Sequence, residues 1–144
     1  MQAKRFSSEH GFTLIELLVV SLIIGVLAAI AIPSFVNQKG KANDASAKEL
    51  ARTAQTTAEA YAAGNNGAYT GLSTTKLNEV EKTIPIAVST TQAYLSGASS
   101  AAPSEYAVTA TSPTTSDTFT VTGKKGIVTR SCTGTGGGCQ SGTW

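Results

Sequence analysis

One histidine, two cysteines and a charged fraction of 14% leave this 144-residue chain short of the side chains on which most catalysis depends. Two thiols cannot complete a closed structural zinc site, which takes four ligands. No stretch is dense in Asp and Asn, so no calcium loop is expected. The clustered Gly134, Gly136, Gly137 and Gly138 lack the strand before, the helix after and the lysine that make a phosphate cradle. Glu79 and Glu81 are two apart, so on a helix they diverge and read as a solvated face. Eleven basic against nine acidic residues give +2 overall, too little for a strong nucleic-acid footprint. No catalytic, cofactor-binding or metal-binding residue is therefore expected. The most telling scarcity is local: from Leu17 to Ile32 there is no charge at all.

That uncharged stretch sits inside a longer apolar run. Phe12 to Val36 is 25 residues, which as a helix would reach about 37 Å, enough to cross a hydrocarbon core of about 30 Å. Glu16, near its start, is the one acid it contains. An ionised side chain inside a membrane costs about 2.5–3.5 kcal/mol at mid-bilayer and less near an end, so a function is the default reading for it. Pro33 removes a backbone donor and tends to kink a helix, which a packed neighbour or the interface tolerates. Lys4 and Arg5 precede the run and place that side in the cytoplasm, with Lys39 and Lys41 on the other flank weakening the contrast. Cys132 and Cys139, a pair in a small exported domain, read as a disulfide, a bond that persists outside the cytoplasm. Two ordinary readings compete. Ala29, Ile30 and Ala31 form a small-x-small site at which a secretory signal would be cut after Ala31, releasing a soluble binding module. A plain single-span anchor, with Glu16 an accident of the helix end, is the other.

Lys4 and Arg5, then Gly11, then Phe12, Thr13, Leu14, Ile15 and Glu16 leading into an apolar helix, resemble the class III signal of type IV prepilins and the related pseudopilins. The resemblance covers residues 4 to 36, and the remainder is similar to pilins only in layout. It implies a cut between Gly11 and Phe12 by a membrane-bound prepilin peptidase, which also N-methylates Phe12. It also implies that the helix is kept, first as an anchor in the cytoplasmic membrane and then as packing material in a fibre. Gly25 and Pro33 fall where such pilins carry helix-loosening residues. His10 would leave with the leader, and with it any imidazole chemistry. Loss of Lys4, Arg5 and Glu9 leaves nine basic and eight acidic residues, near +1. Glu16 then has a clear use. A free α-amino group is largely cationic at neutral pH, and a carboxylate desolvated in an apolar bundle needs such a partner. Phe12 and Glu16 are i and i+4 on one helix, and between chains the same pair would set register.

Beyond Pro33 the pattern becomes amphipathic. Ala47, Ala51, Ala54, Ala58 and Tyr61 recur at steps of 4, 3, 4 and 3, with Leu50 beside them, while Lys48, Glu49, Arg52, Gln55 and Glu59 take the other faces. The helix is predicted to end near Gly64, where Gly64, Asn65, Asn66 and Gly67 accept left-handed backbone. Leu72 to Ile84 is predicted to hold a short helix with Leu77 and Val80 inward, stopped by Pro85. Residues 86 to 103 read as polar and irregular, with at most a short strand from Ala93 to Leu95. Strands are predicted at Glu105 to Ala110, Thr118 to Thr122 and Gly126 to Ser131, the last two joined by a hairpin at Gly123 to Gly126. A head of about 80 residues is marginal by burial alone, so helix packing and a covalent staple matter.

The expected architecture is α+β: a leader (1–11), a hydrophobic helix half (12–36), an amphipathic half (37–63) and a head (64–144). That head would hold an αβ loop, antiparallel strands and a C-terminal disulfide loop. What the resemblance implies is a structural, non-enzymatic subunit of a type IV pilus. It would be polymerised into a homo-oligomeric helical filament by separate ATP-driven assembly machinery, for adhesion, motility or DNA uptake. A minor pilin or a type II secretion or competence pseudopilin is the alternative within the class; the missing calcium loop favours the pilus subunit. Lys124, Lys125 and Arg130 are the candidates for a weak DNA contact, against ordinary surface charge. Thirty-six Ser and Thr residues suit an exposed strand surface and glycosylation alike.

Overall fold

The structure is a computed structural model that describes residues 11–134 and 138–144. The leader residues Lys4, Arg5, Glu9 and His10, and residues 135–137 of the cysteine loop, lie outside the described residues. The chain divides into two units, the first ending at Val36 and the second running Asn37–Trp144. One helix, α1 (Leu14–Gly64), contributes to both.

In the first unit α1 carries Leu, Ile, Val and Phe on every side, and all of its large apolar residues from Leu14 to Val36 are exposed. It is long and apolar enough to cross a membrane. Helix assignment continues unbroken through Pro33.

In the second unit the same helix faces a core mainly with alanine, flanked by Leu50 and Tyr61. Ala47, Ala51, Ala54 and Ala58 are buried and pack in one cluster with Val108, Ala110, Phe119 and Val121 of the sheet, and Ala62 is buried one turn further on. Small side chains let a sheet approach a helix closely. The helix stops at Gly64, where the N–H groups of Asn65 and Gly67 both donate to the Ala62 carbonyl. Asn66 (φ 55°) and Gly67 (φ 78°) turn the chain through left-handed backbone.

Four strands follow in one antiparallel sheet ordered as in sequence: β1 (Tyr94–Ala102), β2 (Glu105–Thr111), β3 (Thr118–Lys124) and β4 (Ile127–Thr133). Tyr106, Val108 and Ala110 of β2 and Phe119 and Val121 of β3 alternate into the core. Lys124 pairs with Ile127, so the β3–β4 loop is the two residues Lys125 (φ 50°) and Gly126 (φ 81°), a type I′ turn. Tyr106 lies opposite Gly123 and its ring covers that glycine; a Cβ at Gly123 would come within 2.1 Å of the ring.

Two expectations are corrected. Residues 94–102 form a nine-residue strand, not an irregular stretch. Its sequence, Leu-Ser-Gly-Ala-Ser-Ser-Ala-Ala after Tyr94, offers no apolar alternation, and the strand is defined by its ladder to β2, with register shifts at Leu95/Gly97 and Ser99/Ala102. Helix α2 (Thr74–Val80) is capped by Ser73, whose side chain accepts from the Lys76 N–H, and it buries Leu77. Val80, however, is 51% exposed, because α2 ends there and Ile84 fills the core instead. On β4 Ile127 and Thr129 share the solvent face.

Cys132 and Cys139 are joined, with Cα atoms 5.6 Å apart. The loop they close docks on Asp44 of α1, which is fully buried: the Gly138 N–H donates to Oδ2 (3.1 Å) and the Thr115 hydroxyl to Oδ1 (2.6 Å). One helix side chain thus fastens the β2–β3 loop and the disulfide loop together.

Candidate functional site

The N-terminal end of α1 gathers the residues singled out by the sequence. Gly11, Phe12 and Thr13 precede the helix, and all three are exposed. Because α1 begins at Leu14, Thr13 is its N-cap and Glu16 its third residue. The Thr13 N–H (2.9 Å) and the Thr13 hydroxyl (2.7 Å) both donate to one Glu16 oxygen, Oε2, while the Glu16 N–H reaches back to the Thr13 hydroxyl (3.3 Å). This is a reciprocal capping box, which satisfies amide donors that a helix start leaves unpaired and sets a negative group where the helix dipole favours one. Phe12, Ile15, Glu16, Val19 and Val20 line one shallow, open surface at the start of the helix, with Glu16 itself exposed.

Thr13 is not among the site residues expected from the sequence, although the spacing Thr-x-x-Glu is the signal for this cap. Phe12 contributes a peptide nitrogen here and not an ammonium, and Thr13 is the partner that Glu16 has. Farther along, Ser21 donates to the Leu17 carbonyl at 2.7 Å, and a Cβ on Gly25 would meet no atom within 4 Å. The helix runs through both Gly25 and Pro33.

The other candidates do not converge. Lys124 pairs with Glu105 at 3.3 Å, Arg130 stands 5.5 Å over the Trp144 ring, and Lys125 sits in the turn, so the three cations share no common focus. Glu79 pairs with Lys76 at 2.7 Å, and that hydrogen bond and charge hold its carboxyl below the usual range. Glu81 accepts from the Thr83 hydroxyl and N–H, which lowers it likewise. Each acid has its own partner and they form no acid–base couple. Among the described residues no group of three or more His, Cys, Asp or Glu is placed to hold a metal ion. Asp44 was also missed; the alanine stripe, followed back three residues from Ala47, lands on it.

The prokaryotic N-terminal methylation motif matches residues 6–32. Over 49 residues, 33% of this chain and 22% of the other, the sequence is 49% identical to the type IV major pilin protein PilA of Myxococcus xanthus. Over 52 residues, 36% of this chain and 42% of the other, it is 50% identical to the type IV narrow pilus major component PilA5 of Thermus thermophilus. The type II secretion system core protein G of Klebsiella michiganensis is 44% identical over 39 residues, 27% of this chain and 28% of the other. The chain thus spans less than half the length of each of these relatives. No solved structure matches.

Proposed function

We infer, from an N-terminal segment shared with the type IV pilins, that this chain is the structural subunit of a type IV pilus. The observation that carries the reading is the pairing of a methylation-motif cut site with an intact apolar helix just behind it. Cleavage between Gly11 and Phe12 removes the charged leader and leaves the whole of α1 on the product. An ordinary export signal discards its apolar part; here the apolar part is the product's working end. Before assembly α1 anchors the chain once in the cytoplasmic membrane, with residues 37–144 outside, where the Cys132–Cys139 bond is stable. In the filament, apolar packing among copies of α1 supplies cohesion.

Cleavage also creates the group that Glu16 lacks. The new Phe12 amine, methylated, remains a cation one residue ahead of the capping Thr13, and Glu16 of an incoming subunit pairs with the Phe12 amine of its neighbour. Registry is the role such a buried pair fills best. Glu16→Ala should be inserted and cut normally yet assemble poorly; normal filament yield from that variant would refute the pairing. The processing partner is a prepilin peptidase and methyltransferase, and extraction from the membrane falls to the assembly machinery.

The likeness to a secretion core protein favours one second reading, a pseudopilin, since the methylation motif serves both. Mass spectrometry of filaments sheared from the cell surface separates the readings. An abundant subunit beginning at methylated Phe12 supports the pilus; the same N-terminus in trace amounts supports a minor pilin or pseudopilin. A secreted product beginning at Ile32 overturns both.

A further inference from the structure

Lys39 and Lys41 stand three and five residues past Val36, on the flank of the apolar run where the positive-inside tendency disfavours cations. Both are exposed, and neither has an ion pair among the described residues. Residues 37–39 are exposed as well, and Gly40 is the first residue of the second unit with part of its surface covered. The β2–β3 loop lies against it: a Cβ on Gly40 would stand 3.5 Å from the Thr115 methyl. Three residues on, the Asn43 amide donates to the Thr114 hydroxyl at 2.7 Å. Successive helical residues are about 100° apart, so Lys39 and Lys41 flank the side of α1 that Gly40 turns to this loop.

Charge at this end of the second unit is of one sign. Asp44 is fully buried, with one oxygen accepting from Thr115 and the other from Gly138. Asp117, the acid of the β2–β3 loop, is 2% exposed. The disulfide loop beside Asp44 carries no acid. The next acid along α1, Glu49, pairs with Arg52 at 3.4 Å. Thr114 and Ser116 are exposed in the same loop, and a hydroxyl that accepts one bond, as that of Thr114 does, keeps its own proton to donate. Two ammonium groups and two hydroxyls, with no exposed carboxylate among them, are donors suited to phosphate oxygens. At 1.5 Å per residue the lysines follow Val36 by about 5 and 8 Å, and the headgroup region beside the hydrocarbon is about 5–8 Å deep.

We propose that Lys39 and Lys41, with Thr114 and Ser116 beside them, bind the headgroup phosphates of anionic phospholipids while the subunit is held in the membrane. The partner is lipid because insertion of the apolar run up to Val36 brings these donors to the phosphate layer, and because the surface is cationic where that layer is anionic. The contact fixes the depth of the stored chain: Phe35 and Val36, both exposed, stay in hydrocarbon while the lysine stems carry their charges out to the phosphates. Departure into a filament breaks it, so it belongs to the stored state alone. The inference rests on the membrane-anchored state of the pilus reading and adds a lipid partner to it.

The test reconstitutes the full-length chain, its lysine side-chain nitrogens isotopically labelled, in vesicles of phosphatidylglycerol and phosphatidylcholine. Solid-state NMR then reads the dipolar coupling between those nitrogens and lipid phosphorus. Lys39→Gln combined with Lys41→Gln should weaken the coupling about twofold, with Lys4 of the leader supplying the remainder at the other face. Lys48→Gln, which removes an ammonium standing 5.3 Å from the Phe119 ring centroid, should leave it unchanged. An undiminished signal in the double variant, or an equal loss in Lys48→Gln, overturns the proposal. In detergent micelles with inorganic phosphate no coupling to Lys39 or Lys41 is expected; its appearance would make this a free-phosphate site and overturn lipid as the partner. A chain that floats with the vesicles but shows no coupling overturns the contact alone. A chain that does not float with them overturns the anchored state, and this contact with it.

Discussion

Leu14 to Val36 and Asp44 to Ala62 belong to one helix and use apolar side chains in opposite ways. The first stretch is built from large residues on all sides, every one of them exposed. The second centres one face on small residues, of which Ala47, Ala51, Ala54 and Ala58 are completely buried, with Leu50 and Tyr61 at its margins. A helix that is apolar all round has no solvent-facing side and requires an apolar surround; a helix with a narrow alanine stripe needs only one sheet, which its own chain supplies. The first stretch is therefore incomplete in a single chain, and the second is complete.

Substitutions in the two stretches should separate them. Phe119→Ala, which empties the centre of the head, should cost about 3–5 kcal/mol, while Leu22→Ala should move head stability by less than about 0.5 kcal/mol. Thermal unfolding of both variants in detergent checks this, and a comparable loss in each would erase the distinction. Cys132→Ser should come next, at about 2.5 kcal/mol from loop closure, again read in the unfolding of the head and with no effect on cleavage at Gly11. Asp44→Ala leaves the Thr115 hydroxyl and the Gly138 N–H without their acceptor, a loss of about 1–3 kcal/mol. Amide exchange should quicken both at residues 112–117 and at Gly138; exchange that changes at only one of them would show that Asp44 does not link the two loops.

The smallest effect is one of pH. Burial first, then the Glu59 carboxylate, push the Tyr106 phenol up to about 12 from an ordinary 10.0. The folded head thus favours the protonated phenol. That contribution is fully present below the unfolded value and is lost as pH rises from 10 towards 12. The Tyr69 phenol is raised as well, by burial and then by Glu59, so ultraviolet titration should find Tyr106 ionising last, and Tyr106→Phe should remove that last step; a single step near pH 10 for all four tyrosines would contradict it.

Much of this was legible in the sequence because the signals were local and repeated. The alanine stripe, the Gly64–Gly67 stop and the alternation of Tyr106, Val108, Phe119 and Val121 each rest on a period or a turn chemistry. Strand β1 was not legible, since its small residues form a ladder only because β2 lies beside them. Val80 was misplaced because a two-turn helix cannot say which of its ends meets the core. Asp44 was invisible as a buried group because its partners, Thr115 and Gly138, are distant in sequence. At the N-terminus Gly11, Phe12 and Glu16 were singled out from the sequence, while the hydrogen bonds that tie Thr13 to Glu16 were not legible there.

The claim on which the rest depends is that the exposed apolar stretch of α1 is retained and covered by other copies of itself. Electron cryo-microscopy of filaments sheared from cells tests it most directly. The account predicts residues 14–36 in the filament interior, with each helix surrounded by neighbouring helices and Glu16 within ion-pair distance of a Phe12 amine. Filaments in which that stretch is missing, or lies on the outer surface, would contradict it.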